Sequence, residues 1–305
     1  LLAHIKDMTE GKSFAANLEL AYNNARTASR IAVELCRLQQ AGIVSAGFEL
    51  DLMLEEGFAI SKAQRLAHPE RELTPEEVAR MQGWLVRREA GEPLQYLLGW
   101  WEFYGRRFAV GPGVLIPRAD TETLVEQVLK QLEDVPSPQV ADLCAGSGCV
   151  GLTIACERPD AEVALVELSP EAGEYCASNI RALAPRCRLI QADVLKSTAG
   201  LANLDAVLSN PPYIPSGDLS GLQREVQWEP AMALDGSGDG LRFYREIPLR
   251  WRRALKLGGL LAFEVGFDQA RSVSALMWDS GFDCIRTVQD YGGNDRVVLG
   301  RKTAK

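Results

Sequence analysis

The stretch LSNPPYIP, residues 208–215, closes the apolar run LDAVLS with an asparagine, two prolines and a tyrosine. Proline lacks a backbone donor and fixes φ, so a strand must stop there, the segment stays stiff, and nearby carbonyls are left as acceptors. Asn210 adds a side-chain carbonyl. Its oxygen and the backbone carbonyl of Pro211 can receive both hydrogens of a planar NH2 group, while the ring of Tyr213 can lie against that plane. Asn210, Pro211, Pro212 and Tyr213 therefore read as a holder for an amide or for the exocyclic amine of a nucleobase.

A second constellation lies upstream. In VADLCAGSGCVGLTIA, residues 140–155, an apolar run meets Asp142, then a turn bearing Gly146 and Gly148, then a helical pattern. Small residues let the backbone approach a ligand, and a helix N-terminus offers amides. Glu167 ends the next apolar run, VALVE, where a carboxylate can accept from ribose hydroxyls. Asp193 ends the third, in IQADVL, where it can accept from an adenine amine. Gly146, Gly148 and Gly151 also satisfy the dinucleotide spacing G-x-G-x-x-G, which leaves an adenosine-type cofactor and NAD about even. The NH2 holder at the fourth strand end favours the former.

These positions need elements to carry them. EVALVE, RLIQA and LDAVLS alternate with helical patterns such as PEAGEYCASNIRAL, which predicts parallel strands joined by crossover helices. GGLLAFEVG, FDCIRTVQD and RVVLGRK read as further strands, the last two forming an antiparallel edge hairpin. Upstream, RIAVELCRLQQAG and ELDLMLEEG read as helices capped by Gly42 and Gly57. TPEEVARMQGWLVRREAG has a capping box in Thr74 and Glu77, with Pro75 at the first helical position. WWEFYGRRFAV predicts a hairpin turning at Gly105, packed by Trp100 and Trp101. The expected layout is an N-terminal extension over 1–30, a helical substrate-recognition domain over 31–98, a hairpin linker over 99–120 and an α/β catalytic domain over 121–305. DGSGDG, residues 235–240, reads as a plain mobile loop, since no Lys-Ser/Thr follows it.

Composition narrows the chemistry. The formal net charge of -8 disfavours a phosphate backbone as partner. Two histidines, His4 and His68, and no C-x-x-C pair leave little material for metal sites or Ser-His catalysis, and an odd seven cysteines points to a reducing cytoplasm. Cys149 and Cys156 read as core packing, and Cys144 as a small turn residue. No long apolar run suggests a membrane span, and the sequence, beginning with Leu, reads as a fragment or processed piece.

GEPLQYLLGWWEFYG, LIPRADTETLVE, DLCAGSGCVGL, SNPPYIP, the Glu229-Pro230 pair and DYGGNDRVVLGR occur in an order that resembles the HemK/PrmC family of release-factor glutamine methyltransferases. The resemblance spans roughly residues 40 to 301. It implies a Rossmann-like class I methyltransferase sheet, mostly parallel with an antiparallel edge hairpin, and a small N-terminal helical domain. It also implies S-adenosylmethionine as cofactor, class I peptide chain release factors as protein substrate, no metal, and a cytoplasmic monomer that engages neither nucleic acid nor membrane directly. By the same resemblance Cys144, Ala145, Gly146, Ser147 and Gly148 pass beneath the cofactor's methionine part, Glu167 meets the ribose, Asp193 and Val194 meet the adenine, and Asn210 to Tyr213 hold the glutamine. The family usually has Gly-Thr at Cys144-Ala145 and Asp at Glu167, which bears on affinity. Arg118 and Glu122 are weaker site candidates. Methylation of a ribosomal-protein glutamine or of a nucleobase, and a silent binding module, are the rival readings.

Overall fold

A computed structural model describes residue 33, residues 35–68, residue 71 and residues 73–304; the expected extension over 1–30 lies outside them. The chain divides into two compact units, with the break between Leu98 and Gly99.

In the first unit residues 35–40 are helical and end in a turn at Gly42, whose φ is 85°. Then come α1 (Ala46–Phe58), α2 (Lys62–Ala67), α3 (Pro75–Glu89) and α4 (Leu94–Leu98). Leu50, Met53 and Phe58 of α1 pack with Met81 and Leu85 of α3. The start of α3 is the predicted one: the Glu77 amide donates to Thr74 Oγ1 at 3.2 Å and the Thr74 amide to Glu77 Oε2 at 2.9 Å. Gly57 is not a cap. It lies inside α1, and the left-handed residue is Ala59, at φ 54°. The glycine is needed for packing, because a Cβ there would stand 2.4 Å and 2.6 Å from ring atoms of Trp84. Between the same two helices Arg88 donates to Glu49 at 2.6 Å and 3.1 Å, both side chains buried.

The second unit opens with the predicted hairpin, β1 (Trp100–Phe103) and β2 (Arg106–Ala109). Tyr104 and Gly105 both have positive φ, as a tight two-residue turn requires. Phe103 and Phe108 meet edge to face at 6.0 Å, in the same core as Leu124 and Val128. The Arg107 guanidinium lies 3.8 Å over the Trp100 ring. Next come α5 (Glu122–Gln131), β3 (Gln139–Leu143), α6 (Cys149–Glu157), β4 (Glu162–Glu167), α7 (Pro170–Leu183), β5 (Arg188–Gln191) and β6 (Leu204–Ser209). The chain continues through α8 (Arg242–Trp251), β7 (Leu255–Glu264), α9 (Ala270–Asp279), β8 (Phe282–Gln289) and β9 (Asp295–Lys302).

One seven-stranded sheet runs β5-β4-β3-β6-β7-β9-β8. The pairs from β5 to β7 are parallel, and β9 runs antiparallel between β7 and β8, so the expected edge hairpin is present. Residues of α5, α6 and α7 cover one face of the sheet; Tyr244, Ile247 and Trp251 of α8 and Val273 and Met277 of α9 cover the other. Helix α9, which the sequence reading did not anticipate, connects β7 to β8. Strand order reverses beside β3: the chain steps outward to β4 and β5, then returns to β6 on the other side. In open α/β sheets such a switch point opens a crevice at the carboxyl ends of the strands.

Candidate functional site

A cavity of about 530 Å3 occupies that crevice. Cys144, Ala145, Gly146 and Ser147 line it after β3, Glu167 at the end of β4, Asp193 and Val194 after β5, and Asn210 and Pro212 after β6. Four expected strand ends thus meet in one place. Gly148, Pro211 and Tyr213 are not among the lining residues. Gly148 has φ 81° and packs toward Leu165 and Cys176, so it shapes the turn from behind. Gly151, the third glycine of the dinucleotide spacing, is pressed against Asp142 and donates its amide to Asp142 Oδ2 at 2.8 Å.

The carboxylates are engaged by the fold itself. Glu167 accepts from the Gly146 amide at 2.8 Å through Oε2, and from the amides of Leu168 and Ser169, each at 2.8 Å, through Oε1. Its extra methylene lets it curl onto its own strand end. A carboxylate has about four acceptor positions, so a place remains on Oε2. Asp193 accepts from the Leu195 amide at 2.9 Å and pairs with Lys196 at 3.1 Å. Burial pushes its pKa up, but those two donors outweigh it and hold it below the ordinary aspartate range. Burial pushes Asp142 up to about 7. It also raises the thiols of Cys144 and Cys149, the latter to about 12, so neither is a nucleophile near neutrality.

At the end of β6, Asn210 Nδ2 donates to Thr121 Oγ1 at 3.3 Å, while Asn210 Oδ1 is buried with no hydrogen-bond partner among the described residues. Tyr213 packs against the core that α8 and α9 cover, and its main-chain carbonyl accepts from Gln269 Nε2 at 2.9 Å; Glu264, the last residue of β7, is buried. Burial pushes Glu264 up to about 7. The glycine-bearing loop 235–240 braces the same segment. The Gly236 amide donates to Ile214 O at 2.8 Å, and a Cβ on Gly240 would stand 2.3 Å from Tyr213 O, so the expected plain loop is a close-packed buttress.

Arg118, on the cavity wall, pairs with buried Glu229, which also accepts from the Ile116 amide at 2.9 Å. Glu122 faces elsewhere, accepting from the Tyr104 amide at 2.8 Å. Thr121, Asp142, Glu229 and Glu264 were not singled out as site residues from the sequence. Asp142 and Glu264 did carry a signal: each is an acid that closes an apolar run, VAD in β3 and LLAFE in β7.

Two family models match the chain, the PrmC N-terminal domain over residues 35–99 and the methyltransferase small domain over residues 118–227. The release factor glutamine methyltransferase of Geobacter sulfurreducens is 40% identical over 266 residues, covering 87% of this chain and 92% of that protein. The chain belongs to the release factor glutamine methyltransferase family. Another member, from Moorella thermoacetica, is 41% identical, over 86% of this chain and 94% of its own length. Among solved structures, a methyltransferase from Pyrococcus furiosus aligns with a TM-score of 0.48 at 15% identity, over 75% of this chain and 100% of that one.

The family's methyl donor is S-adenosylmethionine, and the cavity fits it. Two lining residues, Ser147 and Asn210, hold buried polar atoms with no partner among the described residues, Ser147 Oγ and Asn210 Oδ1. Glu167 keeps acceptor capacity at its rim. The volume lies within the range of small-molecule sites. Among the described residues, no helix is long and apolar enough to cross a membrane.

Proposed function

We propose that this chain methylates the side-chain amide nitrogen of the glutamine in the GGQ motif of class I peptide chain release factors. The observation that carries this is Asn210 Oδ1, a buried acceptor without a partner among the described residues, on a side chain that lines the cavity. An amide nitrogen is a poor nucleophile because its lone pair is delocalised into the carbonyl. Bound S-adenosylmethionine supplies an electrophilic methyl group on a sulfonium sulfur.

Asn210 Oδ1 and the Pro211 carbonyl accept the two N–H hydrogens of the substrate amide and orient its lone pair toward the methyl. The methyl would pass to the nitrogen with the sulfur keeping the bonding electrons, and the surplus proton would go to water, because an N-protonated amide is strongly acidic. No strong base is required. Alignment of this kind lowers a barrier by ~7 to 11 kcal/mol. Cys144 to Ser147, Glu167, Asp193 and Val194 hold the cofactor in this reading, and the helical unit ending at Leu98 grips the release factor. With a net charge of -8, a nucleic-acid substrate is poorly matched.

The test is mass spectrometry of a class I release factor after incubation with enzyme and S-adenosylmethionine. One added methyl on the GGQ glutamine is expected. In Asn210→Ala, kcat should fall by about a hundredfold to a thousandfold. A methyl on a ribosomal protein or nucleic acid instead, or wild-type turnover in the variant, would overturn the assignment.

A further inference from the structure

Asn179, in α7, is 2% exposed, and its amide is engaged by main chain from two other parts of the fold. Its Nδ2 donates to Ser147 O at 2.9 Å and to Ala109 O at 3.1 Å, and its Oδ1 accepts from the Ala109 amide at 2.7 Å. An amide NH2 has two hydrogens, so each carbonyl takes one. The orientation is fixed, since a flipped side chain would set its oxygen against two carbonyl oxygens and its NH2 against an N–H.

Both partners belong to walls of the cavity. Ser147 lines it in the turn after β3, and its buried Oγ has no partner among the described residues. Ala109 closes β2 and opens the segment that leads to the lining residues Gly113 and Val114. That segment is laid along α7. A Cβ on Gly111 would collide with the Tyr175 side chain, and one on Gly113 would stand 3.0 Å from Glu171 Cβ. Glu171, Tyr175 and Asn179 are spaced four apart, so they share one face of the helix, and residues 113, 111 and 109 meet them in turn. The segment ends beside the turn: a Cβ on Gly146 would lie 3.9 Å from Val114 Cγ2.

We propose that Asn179 is a positioning residue for cofactor binding: by bonding Ser147 O and both main-chain groups of Ala109 it joins the turn after β3 to the segment 109–114, so that two walls of the cavity are held as one unit. Asn179 is not among the lining residues and touches no cofactor in this role. It sets the direction of the Ser147 main chain, and with it where the unpartnered Oγ points. A ligand that orders the turn then also orders the end of the hairpin, because the two share this amide.

Asn179→Leu, which keeps the side-chain bulk, and Asn179→Ala test this in the full chain. Calorimetric titration with S-adenosylmethionine should give a Kd raised about threefold to tenfold in each. Amide hydrogen exchange reads the coupling itself. In the wild type, saturating cofactor should slow exchange at Ala109 by a larger factor than at Val298, a buried β9 residue that reports opening of the whole sheet. In Asn179→Leu the two amides should slow by the same factor, an outcome that a loss of stability alone would not produce.

Wild-type affinity in both variants, equal slowing of the two amides in the wild type, or an excess at Ala109 that survives in Asn179→Leu would each overturn the proposal. If neither variant folds, the exchange of the wild-type chain decides alone.

Discussion

A buried amide donor cannot lose its acceptor without being left short of a partner. Asn210 Nδ2 stands in this relation to Thr121, which is 2% exposed, so Thr121→Val should lower stability by about 1–3 kcal/mol, read from urea unfolding. A fall in kcat should accompany it. Wild-type values in both measurements would mean that Asn210 does not depend on that bond. The motif itself was legible because Asn210 to Tyr213 are contiguous and carry their chemistry on their own backbone. Glu264 and Thr121 were not legible as its neighbours. They lie 54 and 89 positions from Asn210 in the chain, and only the pairing of Ser209 with Phe263 and the packing of residues 119–121 bring them together. Glu167 shows the opposite limit: its place at a strand end could be read, but not its three bonds to main-chain amides.

At the level of elements, the C-terminal end of α1 inverts the usual rule for glycine. Gly57→Ala puts a methyl into the Trp84 ring and should destabilise the helical unit by about 1–3 kcal/mol. Ala59→Gly, one step past the helix, relieves a left-handed φ of 54° and should raise stability by about 1 kcal/mol. Thermal melts of the full chain followed by far-UV dichroism check both. The start of α3 was readable from Thr74, Pro75 and Glu77 because capping is local. The end of α1 was not, because Gly57 is selected by a ring 27 residues away, which no local pattern reports. The same holds for the loop 235–240, where Gly236 and Gly240 answer to the backbone of Tyr213 rather than to a phosphate.

Over the whole molecule, two buried acids set an unusual pH dependence. Burial pushes Asp142 and Glu264 up to about 7, whereas in the unfolded chain they titrate near 4. The folded state therefore binds more protons than the unfolded one between about pH 4 and pH 7. Their contribution is fully present below that window and is lost as pH rises through it. The Tm should fall between pH 5 and pH 8, and Asp142→Asn or Glu264→Gln should each remove part of the slope. Asp239 has the opposite sign: its hydrogen bonds with Arg245 hold it down to about 2, and its contribution disappears only as pH drops from about 4 toward that value. The two windows do not overlap, so a scan on each side separates them.

The seat of β9 between β7 and β8 bears on how the polypeptide is made. As the nascent chain leaves the ribosome, β8 emerges before it has a neighbour to join, and β7 keeps an open edge until residues 295–302 are translated. An unpaired apolar edge invites pairing with a second chain. Chaperone occupancy during synthesis should therefore persist until β9 appears, and a stop codon ahead of residue 295 should yield aggregate rather than a smaller folded enzyme.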